Sequence, residues 1–377
     1  MSAAGEARHA QALSFLARAG WGDAALQALP GDASTRRYAR LSRGGSSAML
    51  MDQPRGAETA SCPPEATTAE REALGYNAMA RLAGPDCRPF AAISQFLSAA
   101  GLSAPLILAH DYEAGFLLIE DFGDGRMADL IQAGQAEAPF YETAIDALAH
   151  LHRTPAPRAL AVPGGGEVRL LGYDTTAMLA EVRLLPTWFY PAATGLTRPD
   201  DAQASFDALW RAALDQLAVD RPVMILRDYH AENLMWLPSR PGVARAGLLD
   251  FQDALSGSAA YDVISMTEDA RRDVSPELAD AMIARYIQRR RADEAGFDAE
   301  GFRFAAALLA AQRNTKIVGI FARLWKRDGK PRYRQFLPRM WRYLERDLSH
   351  PALAGLRGWF DAHIPQQHRG IPGPDLT

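Results

Sequence analysis

One short segment of the chain combines a carboxylate and an amide at a spacing that suits phosphoryl transfer. Asp228 follows a short apolar run, and four residues separate it from Asn233. At this spacing the carboxylate can accept the proton of an attacking hydroxyl while the amide oxygen turns back to a Mg²⁺ that bridges phosphates. A pattern this short also arises by chance, so it needs support from a second element.

A second aspartate supplies that support. Asp250 ends another apolar run, residues 247–249, downstream of Asn233. A Mg²⁺ that is shared with phosphates needs only one or two protein ligands, and Asn233 and Asp250 can supply them. Alternatively, both aspartates are turn residues or helix caps at strand ends. Because each aspartate ends an apolar run, in this order, we favour the catalytic interpretation with Asp228 as the base.

The elements that must position these residues fall into two parts. Residues 8–29 and 88–100 carry apolar side chains at helical spacing, so both segments predict helices. Four apolar runs predict strands, at residues 38–41, 48–51, 105–109 and 116–120. Residues 53–69 are rich in Pro, Ala and Thr and predict a mobile loop, whereas the chain after Asp121 is mainly helical. We therefore expect an α+β fold with a small, mostly β part before a large helical part.

Composition and charge exclude several classes of protein. The chain has 377 residues, of which 48% are hydrophobic and 23% charged, as is typical of a folded globular protein. A net charge of −4 offers no general attraction to nucleic acid or to an anionic membrane, so we expect neither as a partner. Cys62 and Cys87 are too few for a disulfide framework, and the N-terminus has no signal-like apolar segment. We therefore expect a cytoplasmic protein that acts on a small molecule.

These motifs and their surroundings resemble the aminoglycoside phosphotransferase and choline kinase superfamily. The similarity rests on residues 226–233 (LRDYHAEN), 249–253 (LDFQD) and 260–262 (AYD), and it extends over essentially the whole chain. It is closest to the kinases that phosphorylate N-acetylmuramate and N-acetylglucosamine at the anomeric hydroxyl in peptidoglycan recycling. That subgroup is also similar at residues 31–38 (GDASTRRY), 115–124 (GFLLIEDFGD), 269–274 (DARRDV) and 312–324 (QRNTKIVGIFARL).

The resemblance implies a two-lobed, protein-kinase-like fold with ATP and Mg²⁺ in the cleft. We expect a nucleotide-binding lobe at residues 1–120, with an insertion near residues 53–87, and a helical catalytic lobe at residues 121–377. The resemblance also implies that Asp228 is the base and that the metal ligands are Asn233 and Asp250.

The expected ATP site draws on two segments. Residues 31–38 are expected to cover the phosphates with donors from Ser34, Thr35, Arg36 and Arg37, although an ordinary polar hairpin turn is the alternative. Residues 119–124 are expected to connect the lobes and to bond adenine, which makes Glu120 and Phe122 candidate nucleotide contacts. Residues 121–123 spell the kinase metal motif DFG, but they precede Asp228 and so stand in the wrong order for that role.

Two departures from the family pattern bear on the mechanism. Leu226 stands where many relatives carry a histidine, which braces the loop and takes no part in the chemistry. The strand lysine that kinase-like folds direct at the ATP phosphates is also missing, because the three lysines of this chain are Lys316, Lys326 and Lys330. Met51 lies near the expected place, so we expect Arg36 or Arg37 to bind phosphate instead.

The acceptor is open at the level of sequence. An aminoglycoside or choline is the alternative to an amino sugar, and a non-catalytic nucleotide-binding scaffold is a third hypothesis, favoured only by the missing lysine. The aromatic residues at 188–190 are either a platform for a sugar ring or part of the core. We expect Glu181, Arg313 and Asn314 to be solvated or paired surface groups on helices that face the cleft.

Overall fold

The N-terminal part of the chain forms an antiparallel sheet with a helix on each face. The computed structural model describes residues 3–30, 36–54, 61–79, 83–219 and 221–372. The elements of this part are α1 (Ala3–Arg18), β1 (Ala25–Ala28), β2 (Arg37–Arg43), β3 (Ser46–Asp52), α2 (Thr68–Leu74), α3 (Tyr76–Met79), α4 (Arg88–Ala99), β4 (Ile107–Asp111) and β5 (Phe116–Glu120). The sheet has the strand order β1-β2-β3-β5-β4, and each neighbouring pair is antiparallel.

Alternating apolar side chains give this sheet two buried faces. Leu50 of β3 and Leu118 of β5 pack with Phe15 of α1 in one hydrophobic cluster. The residues that follow them in sequence, Met51 and Ile119, belong instead to the larger core that contains α4. Because successive side chains of a strand point to opposite faces, the apolar runs predicted from the sequence bury both sides of the sheet.

The remainder of the chain is mainly helical. Its elements are α5 (Met127–Gln132), α6 (Ala138–Leu151), β6 (Ala159–Ala161), β7 (Glu167–Arg169), α7 (Thr175–Val182), a π-helical turn (Leu185–Phe189), α8 (Tyr190–Thr194), α9 (Asp200–Leu214), β8 (Val223–Ile225), β9 (Leu234–Trp236), β10 (Ala246–Leu248), β11 (Leu255–Gly257), α10 (Ala260–Thr267), α11 (Pro276–Asp293), α12 (Ala299–Lys326), α13 (Leu337–Asp347) and α14 (Ala354–His363). Its strands form three antiparallel ribbons, β6–β7, β8–β11 and β9–β10. None of the helices described, including α12 with its 28 residues, has the length and apolarity needed to cross a membrane.

One prediction of local structure was wrong, and a second was wrong only at its C-terminal end. The helix expected at residues 8–29 ends at Arg18, and Ala25–Ala28 forms strand β1 against β2. Gly20 adopts a φ of +78°, a conformation that glycine tolerates and that ends helices. The loop expected at residues 53–69 gives way to helix α2 at Thr68, after a capping box. Residues 55–60 lie outside the described residues.

The described part of the predicted insertion is attached to the helical part of the chain. Arg71 of α2 binds the carboxylate of Asp174 with two hydrogen bonds, of 2.6 and 2.8 Å. Asp174 is the N-cap of α7. In addition, Arg323 of α12 donates to the hydroxyl of Tyr76 in α3. These polar contacts hold the insertion against α7 and α12.

Candidate active site

A cleft of about 760 Å³ lies between the sheet and the helical part. Its lining residues come from β2 and β3, from the connector at residues 119–124, and from the loops that follow β8 and β10. This volume is typical of a small-molecule site. Asp228, Asn233 and Asp250 all line the cleft, so the tertiary structure brings these three predicted residues together.

A buried carboxylate from α10 holds the loop that carries Asp228. Asp262 accepts hydrogen bonds from the backbone N–H groups of Leu226 (2.6 Å) and Arg227 (2.8 Å). Arg227 has a φ of +69°, which is uncommon for a non-glycine residue, and these bonds stabilise the turn. Burial raises the pKa of Asp262 to about 7, although both N–H donors act to lower it. The turn presents the side chain of Asp228 to the cleft, where it is exposed.

Neighbouring cations favour the ionised form of Asp228. Enclosure by protein would raise the pKa of this carboxyl, but the surrounding positive charges, that of Arg227 foremost, hold it below its ordinary value. The backbone carbonyl of Asp228 accepts a hydrogen bond of 2.9 Å from Asn233 Nδ2, which joins the two ends of the motif. An ionised carboxylate exposed to the cleft can accept the proton of a bound hydroxyl.

Strand pairing places Asn233 and Asp250 side by side. In the antiparallel β9–β10 ribbon, Leu234, the first residue of β9, lies opposite Leu248, the last residue of β10. Asn233 precedes β9 and Asp250 follows β10, so both residues lie at the same end of the ribbon. Asn233 Nδ2 lies 3.3 Å from Asp250 Oδ2. Asp250 has a φ of +55°. Among the described residues other than glycine, only Asp250 and Arg227 have a positive φ. Backbone strain is thus concentrated at the candidate site.

Asn233 and Asp250 fit a hard divalent cation such as Mg²⁺. Burial raises the pKa of Asp250; Arg36 opposes that rise, and the charge of Asp228 adds to it. A cation beside Asp250 would relieve the repulsion between the two carboxylates. The described part of the chain contains no group of three His, Cys, Asp or Glu side chains arranged to hold a metal. A cation here would therefore depend on two protein ligands and on phosphate oxygens, as is usual for Mg²⁺.

On the sheet side of the cleft, Arg36 faces Asp250 and Arg37 does not. Arg36 Nη2 lies 3.0 Å from Asp250 Oδ1, and the Arg36 side chain is 9% exposed. Arg37 begins β2, is exposed, and does not line the cleft, because adjacent side chains of a strand point to opposite faces. Ser34 and Thr35 lie outside the described residues. Of the predicted phosphate-binding loop, the structure places Arg36 in the cleft.

Ion pairs hold the connector between the two parts of the chain. Glu120 and Phe122 both line the cleft. Arg240 pairs with Glu120, and its guanidinium lies over the ring of Phe122, 5.0 Å from the centroid. From β2, Arg40 Nε lies 2.9 Å from Asp121 Oδ2. Asp121 therefore helps to attach the connector to the sheet.

Three polar residues that were expected at the surface are buried. Glu181, Arg313 and Asn314 are 1%, 4% and 0% exposed, so the prediction of surface groups was wrong. The pairing that was one of the predicted alternatives is present inside the core: Glu181 bonds Arg227 at 2.6 Å, and Arg313 bonds the carbonyl of Glu268 at 3.0 Å. Pairing offsets the cost of burying polar groups. The signal in the sequence was the largely apolar composition of the helices that carry them, which indicates burial on all sides.

The aromatic residues at 188–190 belong to the core. Phe189 is fully buried, and its ring centroid lies 5.2 Å from that of Trp341 in α13. Tyr190 is also buried, and none of the three lines the cleft. Of the two interpretations, a sugar platform and core packing, the structure supports core packing.

The fold and the cleft define a phosphotransferase of the kinase-like class. Residues 25–299 match the model of the phosphotransferase enzyme family APH, and the chain belongs to this family. A relative from Caulobacter vibrioides, an N-acetylmuramate/N-acetylglucosamine kinase, is 45% identical over 362 residues, which cover 96% of this chain and 98% of the relative.

Solved structures share the fold. A choline/ethanolamine kinase family protein from Mesorhizobium loti matches with a TM-score of 0.53 at 14% identity, over 93% of this chain and 98% of that one. The ADP-bound aminoglycoside phosphotransferase APH(2'')-Ib matches with a TM-score of 0.50 at 13% identity, over 89% and 94% of the two chains. These similarities confirm the predicted α+β, two-lobed, kinase-like fold, and the second shows that a protein of this fold binds ADP.

Proposed function

We propose that this chain is an ATP-dependent kinase that phosphorylates the anomeric hydroxyl of N-acetylmuramate or N-acetylglucosamine. The products are the sugar 1-phosphate and ADP. The main support is the 45% identity, over nearly the full length of both chains, to a kinase named for these two sugars. The cleft adds support, because Asp228 is exposed in it beside Asn233 and Asp250. We place the reaction in the cytoplasm, where ATP is available, as a step of peptidoglycan recycling.

Asp228 is the proton acceptor in this proposal. The acceptor oxygen bonds to the γ-phosphorus as the bond from that phosphorus to the β,γ-bridging oxygen breaks, and ADP leaves with the electron pair. The proton of the hydroxyl passes to the carboxylate of Asp228. Because nearby cations lower the pKa of Asp228, it is a weak base, which suits a loose transition state in which the proton moves late. An anomeric hydroxyl is more acidic than an ordinary sugar hydroxyl and so needs a weaker base.

Asn233 and Asp250 would hold the Mg²⁺ that accompanies ATP. When bound, this ion neutralises charge on the phosphate oxygens. The chain contributes two oxygen ligands from the adjoining ends of β9 and β10, and Arg36 adds positive charge from the sheet side. Because no lysine precedes Lys316, Arg36 takes the place of the usual strand lysine in this proposal.

We place the lobe boundary at residue 120. Residues 1–120 would then bind the nucleotide, and residues 121–377 would carry the catalytic loop and the sugar site. Glu120 and Phe122 line the cleft at this boundary, and we propose that they contact the adenine.

Existing ion pairs weaken the alternative of a polycationic acceptor. Asp174 lies 2.6 Å from Arg71, and Asp207 lies 3.0 Å from Arg183. Both aspartates belong to the acidic helical region at residues 174–219 that an aminoglycoside would need. Acidic groups that are already paired with arginine add little negative potential, and no described residue of this region lines the cleft, so the region offers a polycationic acceptor little attraction at the site.

Replacing Arg36 with alanine is expected to raise the KM for ATP. The loss of one hydrogen bond to a charged group, worth about 1.5–3 kcal/mol, corresponds to a rise of about 10-fold or more. Arg37→Ala is the matched control, because this neighbouring arginine does not line the cleft. Steady-state kinetics at saturating sugar measures both. An unchanged KM in Arg36→Ala would show that other groups anchor the phosphates.

The identity of the product tests the proposed function. We expect the wild-type protein, given MgATP and either sugar, to form a phosphate whose ³¹P resonance couples to H1 of the sugar. A phosphate on the 6-hydroxyl would couple to the H6 protons instead. A 6-phosphate, or turnover only with aminoglycosides or choline, would contradict the assignment of substrate and position.

A further inference from the structure

Three charged side chains, Arg227, Lys316 and Glu181, meet behind the catalytic loop, and the charges of Arg227 and Lys316 also act on Asp228, which faces the cleft. Arg227 and Lys316 are cations, and Glu181 and Asp228 are carboxylates. The side chains of Arg227, Lys316 and Glu181 are 10%, 10% and 1% exposed, so three of the four charges are shielded from water. With Asp228 included, the set is neutral when all four groups are ionised, and removing one of them leaves a net charge in a poorly hydrated place.

Glu181 is the centre of this set. Its Oε1 accepts a hydrogen bond of 2.6 Å from Arg227 Nη2. Its Oε2 accepts hydrogen bonds from the hydroxyl of Tyr173 (2.5 Å) and from Gln312 Nε2 (3.2 Å), and lies 3.6 Å from Lys316 Nζ. Burial would raise the pKa of Glu181, but Lys316 and Arg227 hold it below its ordinary value. Glu181 is therefore ionised although it is buried.

A glycine in α12 makes the close approach of α12 and α7 possible. A Cβ at Gly319 would lie 2.4 Å from the carbonyl carbon of Leu184 and 2.5 Å from the backbone nitrogen of Leu185. Any larger residue would push α12 away from the turn that follows α7. The contact brings Lys316, one helical turn before Gly319, to Glu181.

Arg227 connects Glu181 to the candidate base. It precedes Asp228 directly and holds the strained φ of +69°. Its backbone N–H donates to Asp262 (2.8 Å), its carbonyl accepts from Ser265 Oγ (3.0 Å), and its guanidinium donates to Glu181. The backbone of this turn is thus held from α10 and its side chain from α7, and the turn sets the direction of Asp228.

We propose that Glu181 is a positioning residue for phosphoryl transfer: through Arg227 it fixes the turn that directs Asp228 at the acceptor, while Lys316 balances the remaining charge. The inference rests on the proposed role of Asp228 and adds to that role a residue of helix α7. The contribution of Glu181 depends on its charge, since a neutral side chain of the same shape would leave two cations beside the loop.

Glu181→Gln keeps the shape of the side chain and removes its charge. We expect kcat to fall about 10²-fold, the loss that a misplacement of about 1 Å produces. The KM for ATP should stay within about two-fold, because Glu181 does not line the cleft. Tyr173→Phe is the matched control: it removes one hydrogen bond to Glu181 and no charge, so kcat should stay within a few-fold of wild type.

A double variant separates positioning from general damage to the core. Glu181→Gln combined with Lys316→Met restores neutrality, and we expect it to recover about 10-fold of the lost kcat. Damage to packing would instead grow with the second buried substitution. Wild-type kcat in Glu181→Gln would overturn the inference, as would equal losses in Glu181→Gln and Tyr173→Phe without recovery in the double variant.

If Glu181→Gln does not fold, as judged by thermal unfolding, Arg227→Gln tests the same ion pair from the loop. It leaves Glu181 paired with Lys316 and must show the same fall in kcat at constant KM for ATP; near-normal kcat would overturn the inference. The kcat of each variant is compared with that of the wild type on the same acceptor, which can be any substrate that the wild type phosphorylates. The test therefore holds even if the proposed sugar is wrong. A wild-type protein without phosphoryl transfer to any acceptor would overturn the proposed function and the inference together.

Discussion

Asp228→Asn is expected to lower kcat by about 10²- to 10⁴-fold, the usual cost of removing a positioned acid or base, while nucleotide affinity stays nearly unchanged. Asparagine has the shape of aspartate but cannot take up the proton of the acceptor. The backbone carbonyl of residue 228, which bonds Asn233, is retained in the variant. Turnover at saturating sugar and calorimetric binding of ADP measure the two effects separately.

Glu232→Gln is the matched control for this substitution. Glu232 lines the same cleft on the same loop, but its carboxylate is paired with Arg271 at 3.1 Å. The kcat of Glu232→Gln should stay within a few-fold of wild type, because an exposed ion pair contributes only about 0–1 kcal/mol. If Asp228→Asn turned over at close to the wild-type rate with every accepted sugar, Asp228 could not be the base.

Asp250→Asn is expected to weaken Mg²⁺-dependent nucleotide binding by at least about 10- to 100-fold. Mutating a residue that only hydrogen-bonds a metal ligand already lowers metal affinity by about that factor. The amide keeps one oxygen and loses the charge that attracts the cation. Asparagine tolerates positive φ, so the backbone at +55° is retained. Calorimetric titration of ADP at increasing Mg²⁺ concentrations measures this, and the variant should need more Mg²⁺ to reach the same affinity.

Asp129→Asn provides the comparison, because Asp129 also lines the cleft but pairs with Arg126 at 2.7 Å. It should show the Mg²⁺ dependence of the wild type. In the presence of EDTA, the affinities of wild type and Asp250→Asn for ADP should converge. Equal Mg²⁺ dependence in Asp250→Asn and wild type would argue that Asp250 is only the ion-pair partner of Arg36.

The sequence by itself determined the parts of this protein that depend on local pattern. Strands β2, β3 and β5 were predictable because their apolar residues fill both faces of a sheet, a signal that lies within each strand. The pairing of Asp228 with Asn233 was predictable for the same reason, since both lie on one short loop. The order of the two aspartate motifs, each at the end of an apolar run, was enough to indicate the class of chemistry.

Only the tertiary structure decided which polar groups meet across the fold. It separated Arg36, which faces Asp250, from Arg37, because the direction of a strand side chain depends on where the strand begins. It also moved Glu181 from the surface to the centre of a buried ion-pair set, since its partners Arg227 and Lys316 lie far from it in sequence. A charged side chain can be buried only where an opposite charge or hydrogen-bond partners compensate for its lost hydration. When those partners lie far away in sequence, only folding brings them to it.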